Sequence, residues 1–234
     1  MLLPYYSIGS SYDRIESILS GEFIYSFNPV YRAIGGMELP VIYPLDNIRI
    51  DQGRWGIIPT KKLSRPNLWT RSEGIIKNIH SRLLIRNQRC LIPANGFFIR
   101  HQSRIFFIYF PVEKVVTLAG IWKAHDTGIK NLKSFRFSII TVPGDDRLGS
   151  LIKRMPQIIA AHDRKKYLDM ERPLMDISRI FNKELKMEIN GIELDFDITL
   201  EKEVSASDFR TKGKALFHKK PFPQKEILGG YHYN

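Results

Sequence analysis

Cysteine is nearly absent from this chain: Cys90 is the only one in 234 residues. One thiol closes no intramolecular disulfide and builds no cysteine-based metal site, so a reducing, cytoplasmic location is the default expectation. No apolar run approaches the roughly 18 residues of a membrane span. The opening MLLPYYSIGS lacks a basic flank and breaks at Pro4, so neither an export signal nor a membrane anchor is expected. The six histidines, at positions 80, 101, 125, 162, 218 and 232, show no i, i+4 pairing with a carboxylate, which argues against a metal centre. No glycine-rich phosphate loop follows a strand and no G-x-S-x-G elbow is present, so the usual nucleotide and hydrolase fingerprints are missing. These residues assign no catalytic group, no metal ligand and no cofactor.

Acidic residues are also in deficit. Lys+Arg number 36 against 24 Asp+Glu, a net charge of +12, and the pI is near 9.7. Such a balance favours a polyanionic partner, nucleic acid first and an anionic membrane second. The 43% hydrophobic content is enough for a real core. One domain over 1–234 is expected, monomeric, with a tail from about 212 that is rich in Lys, His, Pro and Gly and loosely ordered.

What is present is a series of short strand signals around RCLIPANGFF (89–98). Cys90, Leu91 and Ile92 form an apolar run too brief for a helix, and Pro93 with Asn95-Gly96 ends it in a turn. RIFFIYF (104–110) follows, so the two runs are expected to pair antiparallel. Upstream, Tyr12, Ile15, Ile18 and Leu19 have helical spacing, with Gly21 as a stop. Residues 28–44 read as a surface loop ending in an edge strand at 39–43. Ile48 and Ile50 flank a turn at 51–53, then a short strand at 54–59. KKLSRPNLWTR (61–71) is basic, with Trp69 exposed. Residues 75–86 fit neither period and stay unassigned.

Downstream, 114–122, 135–142 and 155–161 are strand-like, and Asp163 caps a helix over 164–170. A second helix covers 174–181, and Asn190-Gly191 marks a hairpin between 187–189 and 192–196. The sum is an α+β chain whose short strands make a curved or barrel-like mixed sheet with peripheral helices. Cys90 inside an apolar strand reads as a buried structural thiol.

Cations and aromatics interleave at Arg54-Trp55, Lys61-Lys62, Arg65, Trp69 to Arg71, Arg82, Arg86 and Lys153-Arg154. Cations grip phosphates while flat rings stack on unpaired bases, which suits single-stranded nucleic acid better than duplex. The alternative is that the tryptophans fill the core and the cations coat a solvated surface.

Several fragments together resemble the SRAP family of SOS-response-associated peptidases and abasic-site-processing proteins. Trp55-Gly56-Ile57-Ile58-Pro59 is similar to its W-G-x-x-P element, Asn78-Ile79-His80 stands for N-A-R, the 89–98 stretch resembles R-C-L-x-P-x-x-G-[FWY]-[FY]-E-W, and Arg154-Met155-Pro156 ends H-x-R-M-P. The resemblance implies the SRAP fold and binding of single-stranded or abasic-site DNA. It also implies a cysteine after the initiator methionine that reacts with the abasic aldehyde, its amine forming an imine and its sulfur closing a thiazolidine. A glutamate, a histidine and an asparagine assist.

At those positions this chain carries Leu2 for the cysteine, Ile99 for the glutamate, Ile152 for the histidine and Arg32 for the asparagine, with Arg82 where N-A-R-x-E ends in glutamate. The resulting expectation is a catalytically impaired SRAP-fold protein that binds DNA non-covalently through Asn78, His80, Arg154, Trp55, Arg32 and Arg82. Two alternatives remain: cross-linking through the Met1 amine, and a protein-interaction scaffold that binds no DNA.

Overall fold

The structure is a computed structural model that describes residues 2–8, 22–23, 30–44, 47–58, 65–112, 115–126 and 133–194. The expected helix at 12–19, Lys61-Lys62 and the tail from 212 lie outside the described residues.

In chain order the strands begin with β1 (Leu2–Ile8), β2 (Glu22–Phe23), β3 (Val30–Ile34), β4 (Glu38–Pro44), β5 (Ile48–Trp55) and β6 (Trp69–Arg71). Two short helices follow, α1 (Ser72–Lys77) and α2 (Ile79–Asn87), then β7 (Arg89–Ala94), β8 (Gly96–His101) and β9 (Arg104–Tyr109). The long pair β10 (Val116–Asp126) and β11 (Lys133–Pro143) leads through a 3-10 helix (Asp146–Leu151) to β12 (Arg154–Pro156) and β13 (Ile158–Ile159). Helices α3 (Arg164–Leu168) and α4 (Leu174–Phe181) and strand β14 (Asn190–Leu194) complete the described elements.

One sheet has the order β14-β9-β8-β1-β3, all neighbours antiparallel. The other runs β12-β11-β10-β7-β4-β5-β2, with β6 on β11 and β13 on β10. Because β5 also meets β11 in parallel, Arg54 opposite Arg136 and Trp55 opposite Phe137, strands β11, β10, β7, β4 and β5 close into a twisted ring. Side chains alternate across a strand, so Trp55, Phe137, Cys90 and Ile92 belong to the buried core of this ring. The architecture is the sheet-dominated α+β fold with few helices that the strand signals imply.

All six residues of β7 are buried, as its apolar run predicts. The expected hairpin with 104–110 does not form. At Asn95, whose N–H donates to Ser7 O at 2.7 Å, the chain leaves the ring and enters the other sheet as β8. The hairpin is instead β8 with β9, turning at Gln102, which takes φ 52°. Gly96 serves the sheet switch by close approach: a Cβ there would lie 2.2 Å from Ile108 O, so any larger residue would push β8 off β9.

Other expectations are corrected in the same physical terms. The 39–43 segment is not an edge strand, because β4 lies between β5 and β7. Residues 51–53 make no turn. Gly53 stays extended in β5 because the Phe135 and Phe137 rings crowd it, a Cβ meeting them at 2.6 and 3.0 Å. The 155–161 strand splits at Gln157, whose N–H donates to Ile140 O on β11 while its carbonyl accepts from Ala119 N on β10, so the chain bends from one strand to the next.

The ambiguous 75–86 segment is two helices out of phase. Asn78 is extended between them (φ −99°, ψ 121°) and its Oδ1 accepts from Ser81 N at 3.1 Å, an N-cap for α2. The helix after Asp163 ends at Leu168, and the Asp163 carboxylate does not cap it but holds Lys183 Nζ at 2.6 Å. The Asn190-Gly191 hairpin is absent too: Asn190 opens β14 opposite Tyr109. Arg147 donates to Leu185 O and Met187 O, both at 2.6 Å, which holds 185–187 away from strand pairing.

Candidate nucleic-acid interface

The first residues of β1 lie against β8 so that Leu2 stands opposite Ile99. Ile99 is wholly buried and faces Phe106 of β9 on its other side. The 3-10 helix at Asp146–Leu151 lies beside β8 and delivers Ile152, which is 3% exposed and joins the same core cluster as Ile99. Aliphatic carbon therefore occupies both positions, and no isoleucine atom titrates.

Arg154 keeps its chemistry. It sits on β12 opposite Pro143 of β11 and donates to both oxygens of Glu73, Nη1 to Oε1 at 2.8 Å and Nη2 to Oε2 at 2.9 Å. Nη2 also reaches Thr141 O at 2.6 Å, and Nε reaches Thr141 Oγ1 at 3.2 Å. This is the bidentate geometry that makes arginine–carboxylate pairs directional. The Arg154 hydrogen bonds come first among the causes that bring the Glu73 carboxyl down to about 2.

A group held below its unfolded value contributes stability above the ordinary carboxylate range and loses it as pH falls toward 2. Because the Glu73 side chain is half exposed, solvent screening keeps that contribution small. Carboxyl-detected NMR should give a Glu73 midpoint about 2 in the native chain, rising to ~4.3 in Arg154→Gln. A midpoint unchanged by the substitution would separate the two residues.

Glu73 was not among the expected site residues, and Arg71 stood only among the interleaved cations and aromatics. Trp69-Thr70-Arg71-Ser72-Glu73 carries the R-x-E spacing of N-A-R-x-E, and its glutamate bonds the arginine of R-M-P, so the match belongs here rather than at 78–82. Arg71 lies opposite Thr141 in the β6–β11 register, is exposed, and forms no ion pair among the described residues. Thr141 thus has Arg71 opposite it on β6 and bonds the Arg154 guanidinium. The R-x-E letters are local in the sequence, and Asn78-Ile79-His80 carries a competing match.

The other expected residues are placed as follows. Trp55 is 0% exposed. Its Nε1 donates to Leu68 O at 3.0 Å, and its ring meets Trp69 and Tyr6 edge-on at 5.1 and 5.0 Å. It is core and offers no face to a base. Trp69, expected exposed, is half-buried against it. Asn78 is the α2 cap described above, and His80 lies in the first turn of α2. Arg82 is exposed on α2 and lines, with Ser72, Glu73 and Ser178, a cleft of about 500 Å³ floored by Ile85 and Phe181. Arg32 is half-buried on β3, at the edge of the β1 sheet. Arg154, Glu73 and Arg71 are brought together, and Arg82 shares the Glu73 cleft.

The fold is shared with solved structures of low identity. A protein from Bacteroides thetaiotaomicron is similar at 19% identity, with TM-score 0.75, 86% of this chain and 95% of that one covered. A Bordetella bronchiseptica protein gives 16% identity, TM-score 0.68 and coverage of 83% and 100%. A phage-related protein of the same organism gives 17%, 0.67, and 84% and 96%. No curated protein matches the chain. The family model described as SOS response associated peptidase (SRAP) matches residues 7–193, and over that span the chain is a member of the SRAP family.

Proposed function

We propose that this SRAP protein binds single-stranded DNA, abasic sites included, without forming a covalent adduct. One observation carries the reading: Leu2 faces Ile99 across β1 and β8, and Ile152 joins Ile99 in the core, while the Arg154–Glu73 pair and Arg71 stay at the surface. The position for chemistry is filled with hydrocarbon, and the groups suited to phosphate are kept. Arg71 supplies the open cation, and a phosphate competing with Glu73 takes the bidentate edge of Arg154. Among the described residues no helix is long and apolar enough to cross a membrane.

Fluorescence anisotropy with a labelled oligonucleotide tests binding. With about five phosphates contacted, log K falls against log salt with a slope of roughly −3 to −4. Binding that ignores salt, or none at moderate salt, sinks the reading. Borohydride treatment of the protein with abasic DNA is expected to give no shifted band on a denaturing gel. A trapped band would instead establish imine chemistry at an amine.

A further inference from the structure

The ring carries a second basic feature on its wall. In the β10–β11 register Lys123 stands opposite Arg136, and in the β5–β11 register Arg136 stands opposite Arg54. Residues directly opposite share a face, so the three form one row across three adjacent strands, two strand spacings or ~10 Å wide. Their chain neighbours Trp55 and Phe137 are wholly buried and side chains alternate, so the row belongs to the outer wall. His125, two residues along β10 from Lys123, falls on the same face.

Like charges in lateral register oppose sheet formation unless something compensates them. Compensation within the chain is partial. Arg54 pairs with Glu38 at 2.9 Å, both side chains about half exposed. Lys123 and Arg136 form no ion pair among the described residues. Arg136 Nη1 is anchored on Gly56 O at 3.2 Å, while its Nε and His125 Nε2 are buried without a hydrogen-bond partner. With Nη1 on Gly56 O and Nε buried, Arg136 presents Nη2 to a phosphate oxygen. The mutual repulsion is felt locally: beyond burial, Arg54 pulls the Arg136 guanidinium down, and Lys123 and Arg136 pull the His125 imidazole down.

We propose that Lys123, Arg136 and Arg54 form a second phosphate-binding row on the outer wall, separate from Arg154, that holds the backbone of a single-stranded nucleic acid. Thr141, the residue that Arg154 bonds, lies five residues along β11 and on its other face, with 137–140 buried between them, so the row is a separate surface from the first site. It rests on the single-strand reading above.

The test uses the full chain, a labelled 20-nucleotide oligothymidine and a salt titration. Lys123→Gln/Arg136→Gln is expected to reduce the magnitude of the log K against log salt slope by about 1.4, two contacts at about 0.7 each. Lys123→Arg should leave the slope unchanged, as should neutralising the exposed pair Lys165 and Lys186. Thermal unfolding of each variant confirms that it is folded, and should Lys123→Gln/Arg136→Gln fail to fold, Lys123→Gln alone is expected to remove about 0.7. A native slope in the folded variants overturns the row and spares the first site. An equal loss on neutralising Lys165 and Lys186 also overturns it, since the effect would then be diffuse charge. Failure of the native chain to bind overturns the single-strand reading and the row with it.

Discussion

Replacing Arg89 by alanine is expected to lower the unfolding free energy by about 3–5 kcal/mol, the largest loss among single changes outside the hydrocarbon core. Arg89 is wholly buried, yet its partners are carbonyls rather than a carboxylate. Nη1 donates to Ile85 O at 2.6 Å and Arg86 O at 3.2 Å, Nε to Tyr167 O at 2.5 Å, and Nη2 to Asp169 O. Those carbonyls lie at the C-terminal ends of α2 and α3, where unpaired C=O groups carry partial negative charge. One guanidinium therefore ties both helix ends to β7, and burial pulls it down from its usual range without removing its charge. Removing it leaves four carbonyls without their donor. Arg89→Lys should recover less than half of the loss, because an ammonium lacks the planar fork. Urea midpoints measure both, and an alanine variant within about 1 kcal/mol of native would show that water replaces the fork at little cost.

Ile99→Glu is expected to cost about 3–4 kcal/mol at pH 7, since it puts a carboxylate at a wholly buried position. Burial raises the introduced carboxyl above its unfolded value. The variant's relative stability is then present below that unfolded value and lost as pH rises, so the penalty should shrink at pH 4. Ile152→His added to the same chain should offset about 1–2 kcal/mol through a charge-assisted hydrogen bond. A double-mutant cycle isolates the coupling. Zero coupling would mean that positions 99 and 152 do not share a pocket in this chain, removing the geometric basis for reading it as a family site filled with hydrocarbon.

Some of this was legible in the sequence because it is local. Apolar runs bounded by Pro and Gly mark β7, β9 and β11, and Leu174–Phe181 is helical by its spacing. The motif losses at Leu2, Ile99 and Ile152 are read directly from letters. What was not legible depends on distant partners. Asn95-Gly96 says only that the chain turns, and whether it reverses within one sheet or crosses to another is decided by Ser7 and Ile108. Gly53 reads as a turn until the Phe135 and Phe137 rings are placed against it. Trp55 reads as a stacking platform until Trp69 and Tyr6 enclose it. Residues 75–86 defeated both periods because Asn78 shifts the phase between two helices, and the asparagine that does so drew the N-A-R match from Arg71. Glu73 and Arg154 lie 81 positions apart, and nothing local in either announces the other.

The closure of the ring at β5 and β11 also bears on how the chain is made. Gly56 and Arg136, which bond where the two strands meet, are separated by 80 residues, and β1 finds its β8 partner only after about ninety residues have followed it. Contacts of such separation must be reached by slow search. During synthesis β1 and β5 emerge long before β8 and β11 exist, and at ~5–20 residues per second that interval lasts several seconds. Through it the edges they hold for β8 and β11 are open to other chains, so the yield of native protein should depend on translation rate and on chaperones that cover strand edges.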